Sequence, residues 1–556
     1  MPHNKQKTKK VHAMTNHNTE FIIRQSRAPL FEAVTAYRKR RPGYFCIPGH
    51  RYERGISKLW RDEVGDSIFS YDLTEATGLD DLHAPEGAIR EAQELLAELY
   101  GAKHSCFLVN GSTCGNEAML LAALRPGDKV LVPRNAHKSI LMGLVLSGAV
   151  PVWILPEYLE DYGLWGGIKP QTVVQALDQH PGCKAVCLVS PTYQGFCSDV
   201  QAIADVCHDR GALLLVDEAH GGHLYFSEKF PRGALRQGAD LCVQSFHKVT
   251  GALTQSSVLH IGSDRISSGS VDAALKLVQS TSPSYLLMVS IDLARRELAL
   301  HGTEWMDKLY VLSQKARNGL NAIPGIHCPG RGLAGSGKPA EPEAAIWTDT
   351  HFMDKSGRAE FRGIAGLDPS RLTIHAGNLG IGGEAFRRLL FDRHNIDLEM
   401  AEGDTALAIL TAANTEEDVE VLLAAVRQTA EELAENLPYG TKNQTDCDTV
   451  SINTKNGAFS PKCSAVFSSL PPAILSPREA WFAPKKTVPW TEAAGCIAGE
   501  ALIPYPPGIP LIYPGEPLTP EIWNYTDTLR RKHRHLHGPA DASLATFQIL
   551  DRKVKK

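Results

Sequence analysis

Leu241-Cys242-Val243-Gln244-Ser245-Phe246-His247-Lys248 is the stretch on which the reading of the fold turns. An apolar run ends in a polar turn that carries a lysine. Upstream, a second apolar run, Leu213-Leu214-Leu215-Val216, ends in Asp217. Short apolar runs closed by polar residues read as buried strands. A lysine at one strand end and an aspartate at another give the two groups that hold pyridoxal phosphate (PLP). An amine forms an imine with the aldehyde, and a carboxylate pairs with the ring nitrogen.

Working outward, strands and helices alternate from Gly101 to Ile261. The pattern predicts strands at His104–Val109, Lys129–Val132, Val150–Leu155, Ala185–Val189, Leu213–Val216, Leu241–Gln244 and Ser257–Ile261. It predicts helices at Gly115–Leu124, Lys138–Ser147, Gln171–Gln179 and Val200–Asp209. Such alternation specifies an α/β fold with a mostly parallel sheet covered on both faces. Ligands of these sheets sit beyond the carboxyl ends of the strands.

A long helical pattern follows from Ser284 to Leu320, and the Gly- and Pro-rich stretch Pro324–Pro342 marks a boundary. Strands Leu372–His375 and Ala406–Leu410, with helices Glu384–His394 and Glu416–Glu435, suit a smaller α/β domain. The expected organisation is a basic, disordered tail over 1–20 and an N-terminal segment with the major domain over 21–330. A small α/β domain over 331–440, a polar linker over 441–464 and a C-terminal α+β domain over 465–545 follow.

Composition narrows the function. The chain has 556 residues, 43% hydrophobic and 22% charged, with net charge −4. That balance is ordinary for a globular protein and offers no general attraction to nucleic acid or acidic membranes. The twelve cysteines form no C-x-x-C pair and read as reduced thiols of a cytoplasmic protein. Residues 1–20 lack the apolar core of a signal peptide, and Met14 offers a second start. The longest uncharged run, Ser139–Pro156, is broken by Gly143, Gly148 and Pro151, so it is not read as a membrane span.

A PLP site makes four demands. The phosphate needs N–H donors at a helix start. Asn110-Gly111-Ser112-Thr113 offers them, and it also suits an ordinary helix cap. The ring needs a flat neighbour, and His137, just past a strand, can stack on it or be a satisfied loop histidine. The ring nitrogen needs a carboxylate. Asp217 follows four apolar residues, where burial is costly without a partner, or it caps the next turn. The aldehyde needs the Lys248 amine, whose pKa a dry site near other cations would lower. Ser245 can add a phosphate contact. All four demands are met at strand ends of one alternating segment.

Three other patterns fall short. Gly332-Leu333-Ala334-Gly335-Ser336-Gly337-Lys338 has P-loop spacing, but Pro339 stands where a Ser or Thr would hold magnesium. His533, His535 and His537 read as a solvated tail, and Cys183, Cys187, Cys197 and Cys207 lack metal-site spacing, so no metal is expected.

These residues resemble the bacterial ornithine/lysine/arginine decarboxylase family of fold-type-I PLP enzymes, over most of 20–540. The markers are Ile47-Pro48-Gly49-His50, Gly78-Leu79-Asp80-Asp81-Leu82-His83, Asn110-Gly111-Ser112-Thr113, Asn135-Ala136-His137-Lys138, Asp217-Glu218-Ala219-His220 and Ser245-Phe246-His247-Lys248. Ser280-Thr281-Ser282-Pro283-Ser284 and Pro504-Tyr505-Pro506-Pro507-Gly508-Ile509-Pro510 follow. The resemblance is to the shorter branch without an N-terminal receiver-like wing.

The resemblance implies an aspartate-aminotransferase-like major domain and a set of roles. Lys248 is expected as the Schiff-base lysine, Asp217 as partner of the pyridine nitrogen and His137 as the stacking ring. Ser112, Thr113, Ser245 and His247 are expected around the phosphate, with Ala219 under the ring and His220 close by. Ser282 is expected to reach the phosphate of a neighbouring subunit, which implies a homodimer or larger homo-oligomer. Glu500 is expected near the distal cationic end of the substrate. The reaction implied is decarboxylation of a basic L-amino acid in polyamine metabolism, with His247 or Lys248 protonating the α carbon. Arginine is favoured slightly over lysine and ornithine. Transamination on the same fold, and a non-catalytic regulator, stay open at this point.

Overall fold

The computed structural model describes residues 19–159, 162–330, 352–353, 359–360, 363–435, 473–504, 508–531 and 535–551. The expectations for the N-terminal tail, for Gly332–Lys338, for the linker, for Tyr505–Pro507 and for His533 lie outside these residues.

Seven strands carry the α/β pattern. They are β1 (His104–Leu108), β2 (Lys129–Pro133), β3 (Val150–Ile154), β4 (Ala185–Val189), β5 (Leu213–Asp217), β6 (Leu241–Gln244) and β7 (Ser257–Ile261). Their continuous apolar runs are explained by burial on both faces. Leu214, Leu215, Val216, Leu241, Cys242 and Val243 are all buried.

The chain divides into two compact units. The first comprises 1–123, 215–227 and 232–306. Within it the hydrogen-bonding order is β1-β7-β6-β5. β5 and β6 pair in parallel, with Asp217 opposite Val243. β7 runs antiparallel to both its neighbours, so β1 again points the same way as β6. The alternation in sequence did not distinguish this reversal. Its cause is local: between β6 and β7 the chain makes only a one-turn helix, Phe246–Val249, too little for the helical crossover that parallel neighbours need.

Two helices cover this part of the sheet. Helix α1 (Gly111–Ala123) lies close to it, and Gly115 makes that approach possible. A Cβ there would stand 2.4 Å from Val243 Cγ2 and 2.7 Å from Leu108 Cδ1. Helix α2 (Ser268–Val278) packs on α1.

The second unit comprises 124–214, 228–231 and 307–556. It carries the parallel run β4-β2-β3. It also holds the three-stranded antiparallel sheet of β8 (Arg371–His375), β9 (Met400–Glu402) and β10 (Thr405–Ile409). A further core gathers Trp490, Leu502, Ile512, Leu518, Ile522, Phe547 and Ile549. Directly after β2, Arg134 forms a two-pronged ion pair with Glu516 at 2.6 and 2.8 Å, and both side chains are 1% exposed. Among the described residues the cysteines are free, and no helix is long and apolar enough to cross a membrane.

Candidate active site

β5 and β6 end side by side, and each delivers one of the two groups singled out in the sequence. Asp217 is the last residue of β5 and is 5% exposed. Its Oδ2 accepts a 2.8 Å hydrogen bond from Asn116 Nδ2 on α1, and its Oδ1 accepts one of 3.1 Å from the Ala219 N–H. No Lys, Arg or His among the described residues makes an ion pair with it. A carboxylate buried among neutral donors keeps lone pairs for a cationic partner. That arrangement fits a protonated ring nitrogen.

Lys248 lies in the short helix after β6, half-buried, with Nζ 2.9 Å from His220 Nε2. His220 belongs to the loop that leaves β5, so the lysine touches the segment that begins three residues after Asp217, on the strand end adjoining its own. Ser245 is fully buried and donates from its Oγ to Ser112 Oγ at 3.0 Å, and its N–H reaches the Ala219 carbonyl at 3.3 Å. This joins the strand end of β6 to the start of α1 and to the residue expected under the ring. His247 gives its N–H and its Nδ1–H to the Ser256 carbonyl, at 3.2 and 2.9 Å, which leaves Nε2 as the acceptor of the ring. Burial pushes the His247 pKa down, with Lys248 adding to the effect, so the neutral form is favoured.

Ser112 and Thr113 are half-buried in the first turn of α1. The helix begins at Gly111, four residues before the expected start at Gly115. Asn110-Gly111-Ser112-Thr113 is therefore the helix's opening turn and not a loop ahead of it. The shift places the N–H groups of Ser112 and Thr113 among the unpaired donors of a helix start.

The remaining expected residues lie apart in chain or in exposure. Ser282 is exposed, and its N–H bonds to Ser280 Oγ. His137 belongs to the second unit, where it follows β2 and caps the helix Lys138–Ser147 by accepting from Ser139 N–H at 3.2 Å. Glu500, also in the second unit, is 7% exposed and accepts backbone N–H bonds from Ala540 and Gln548, both at 2.8 Å. Both its oxygens are thus engaged within the C-terminal part of the chain.

Asn116 was not among the residues expected from sequence. A signal was present, because asparagine is a weak helix former and α1 buries it on its sheet-facing side. Glu218 was also passed over. It follows the same apolar run as Asp217 and is more deeply buried, at 1% exposed.

A buried carboxylate and a lysine on neighbouring strand ends of an α/β fold are the arrangement in which such folds take a small ligand. The family model "Orn/Lys/Arg decarboxylase, major domain" matches residues 28–418, and the model of that family's C-terminal domain matches 461–541. The chain belongs to the Orn/Lys/Arg decarboxylase family. It is 35% identical over 529 residues to an arginine decarboxylase of Halalkalibacterium halodurans, covering 95% of this chain and 99% of the relative. It is 33% identical over 526 residues to an arginine decarboxylase of Bacillus subtilis, covering 95% and 98%. Among solved structures it resembles lysine decarboxylase A from Pseudomonas aeruginosa, with TM-score 0.77, 22% identity and coverage of 98% of this chain and 82% of that one. The last likeness concerns the fold.

Proposed function

We propose that this protein is a PLP-dependent decarboxylase of a basic L-amino acid, with arginine favoured and lysine and ornithine next. The observation that carries the reading is the buried Asp217 carboxylate, held by neutral donors, beside the strand end that bears Lys248. The preference for arginine rests on relatives at 33–35% identity that are arginine decarboxylases. When bound, PLP supplies the electron sink into which the pair from the broken bond to CO2 is drawn.

The chain's own residues do the rest. Lys248 would hold the cofactor through its side-chain amine. Asp217 keeps a proton on the ring nitrogen through a charge-assisted hydrogen bond, and Asn116 fixes the angle of that carboxylate. The opening turn of α1, with Ser112 and Thr113, and the side chains of Ser245 and His247 receive the phosphate. Ala219 and His220 would line the floor of the site, and His137 would be the flat neighbour of the ring. His247 or Lys248 would supply the proton to the α carbon. Ser282 acts in a neighbouring subunit, so the working form is a homodimer or larger. Glu500 is the acidic group that would face the distal cation of the substrate, with the resemblance to the family as its support. A cytoplasmic enzyme of polyamine formation is the setting this chemistry suits.

The test is incubation of the purified protein with PLP and, separately, arginine, lysine and ornithine, with CO2 and amine products measured. Arginine is expected to give its amine fastest. Release of no amine from any of the three would overturn the reading.

A further inference from the structure

Glu218 ends a buried chain of hydrogen bonds that crosses four strands of the sheet. Its Oε2 accepts from Gln244 Nε2 at 2.7 Å, from Tyr225 Oη at 2.7 Å and from Cys242 Sγ at 3.1 Å. Its Oε1 accepts from the Ala234 N–H at 2.7 Å. Gln244 Oε1 lies 3.3 Å from His260 Nε2, and His260 Nδ1 lies 2.7 Å from Ser105 Oγ. Tyr100 stacks on the His260 ring, with centroids 4.9 Å apart.

One set of proton positions satisfies every member. Ser105 donates to His260 Nδ1, His260 Nε2–H donates to Gln244 Oε1, and Gln244 Nε2–H donates to Glu218. All bonds point toward the carboxylate, which in its ionised form only accepts. Four donors compensate the charge, and no described cation makes an ion pair with it. Burial raises the Glu218 carboxyl above the ordinary carboxylate range, and the donors offset only part of that rise. A buried network of this kind is rigid when complete and costly when one member fails.

The network has no place in the chemistry of the site, yet it runs beside the ends of β5 and β6, which carry Asp217 and lead to Lys248. Glu218 is the neighbour of Asp217, Gln244 is the neighbour of Ser245, and Ser105 lies in β1, whose end leads to Ser112. We propose that Glu218 is a positioning residue: by clamping Gln244 and Cys242 of β6 to the end of β5, it sets the spacing between the Asp217 carboxylate and the Lys248 amine. This inference rests on the functional reading above. A small error in that spacing reduces turnover without removing any reacting group.

The test compares wild type with Glu218→Gln and Tyr225→Phe, each purified with PLP. Glutamine keeps the size but turns an amide N–H toward one of four donors. Thermal unfolding reports folding, visible circular dichroism reports the geometry of bound PLP, and kcat and KM are measured separately. For Glu218→Gln we expect a folded protein that retains PLP, an altered visible circular dichroism band and kcat lower by about 10- to 100-fold with KM changed far less. Tyr225→Phe, which removes one donor, should shift the same signals less. A Glu218→Gln protein of lower melting temperature but with wild-type dichroism and kcat would overturn the positioning role and leave the functional reading intact. A wild type that bound no PLP would overturn both. If Glu218→Gln does not fold, Tyr225→Phe decides alone: unchanged dichroism and kcat would overturn the inference.

Discussion

Asn116, on the first helix after β1, donates a 2.8 Å hydrogen bond to the Asp217 carboxylate at the end of β5. Two residues 101 positions apart in the chain thus fix the orientation of one buried charge. A hydrogen bond to a charged acceptor contributes about 1.5–3 kcal/mol, so Asn116→Ala should weaken PLP binding about tenfold or more. Titration of the PLP-free variant with PLP, followed by visible absorbance, measures it. Wild-type affinity would show that Asn116 does not support Asp217.

Gly115→Ala should also damage the protein, for a steric reason. The added Cβ would meet Val243 Cγ2 and Leu108 Cδ1 inside normal contact distance, between α1 and the sheet. Overpacking of this kind costs about 1–3 kcal/mol. A fall in melting temperature is expected, and because Asn116 is the next residue, weaker PLP binding should accompany it. An unchanged melting temperature would mean that the helix moves away freely.

His260 gives the protein an acid sensitivity of definite sign. Burial pushes its pKa down to about 3, against about 6.5 for a histidine in the unfolded chain. Below about pH 6.5 the unfolded chain takes up a proton that the folded one refuses. This contribution to stability is therefore present above that pH and is lost as pH falls toward about 3, at about 1.4 kcal/mol per pH unit. The stability gap between wild type and His260→Gln should narrow by about 1 kcal/mol between pH 6.5 and 5.5. Denaturant unfolding at both values tests it, and parallel pH curves would contradict it.

Breaking the ion pair of Arg134 with Glu516 should be among the costliest single changes. Glu516→Ala leaves a guanidinium buried against Trp153 and Tyr513 with its carboxylate gone. Such losses cost about 3–5 kcal/mol. The double variant Arg134→Met with Glu516→Leu removes both charges and should recover much of the loss. Equal melting temperatures for the single and double variants would argue against a buried charge as the cause.

What was legible in the sequence follows from how local each signal is. Leu213–Val216 and Leu241–Gln244 declared themselves because strands buried on both faces need unbroken apolar runs. Asp217 and Lys248 stood out as charged residues that close such runs. The start of α1 was misplaced because glycine, serine and threonine belong equally to a cap and to a first turn. The reversal of β7 was hidden because direction depends on the connection and not on the strand's own residues. Gln244, His260 and Ser105 were missed for a different reason. Their roles arise only from the register that sets β6, β7 and β1 side by side, and no local pattern encodes which residue of another strand will stand opposite.

Reduction of the purified protein with borohydride in the presence of PLP, followed by peptide mapping, tests the lysine assignment most directly. We expect one pyridoxyl-labelled peptide, with the label on Lys248, and none in Lys248→Ala. A label carried by another lysine, or an unlabelled protein, would contradict the placing of the catalytic centre at the ends of β5 and β6.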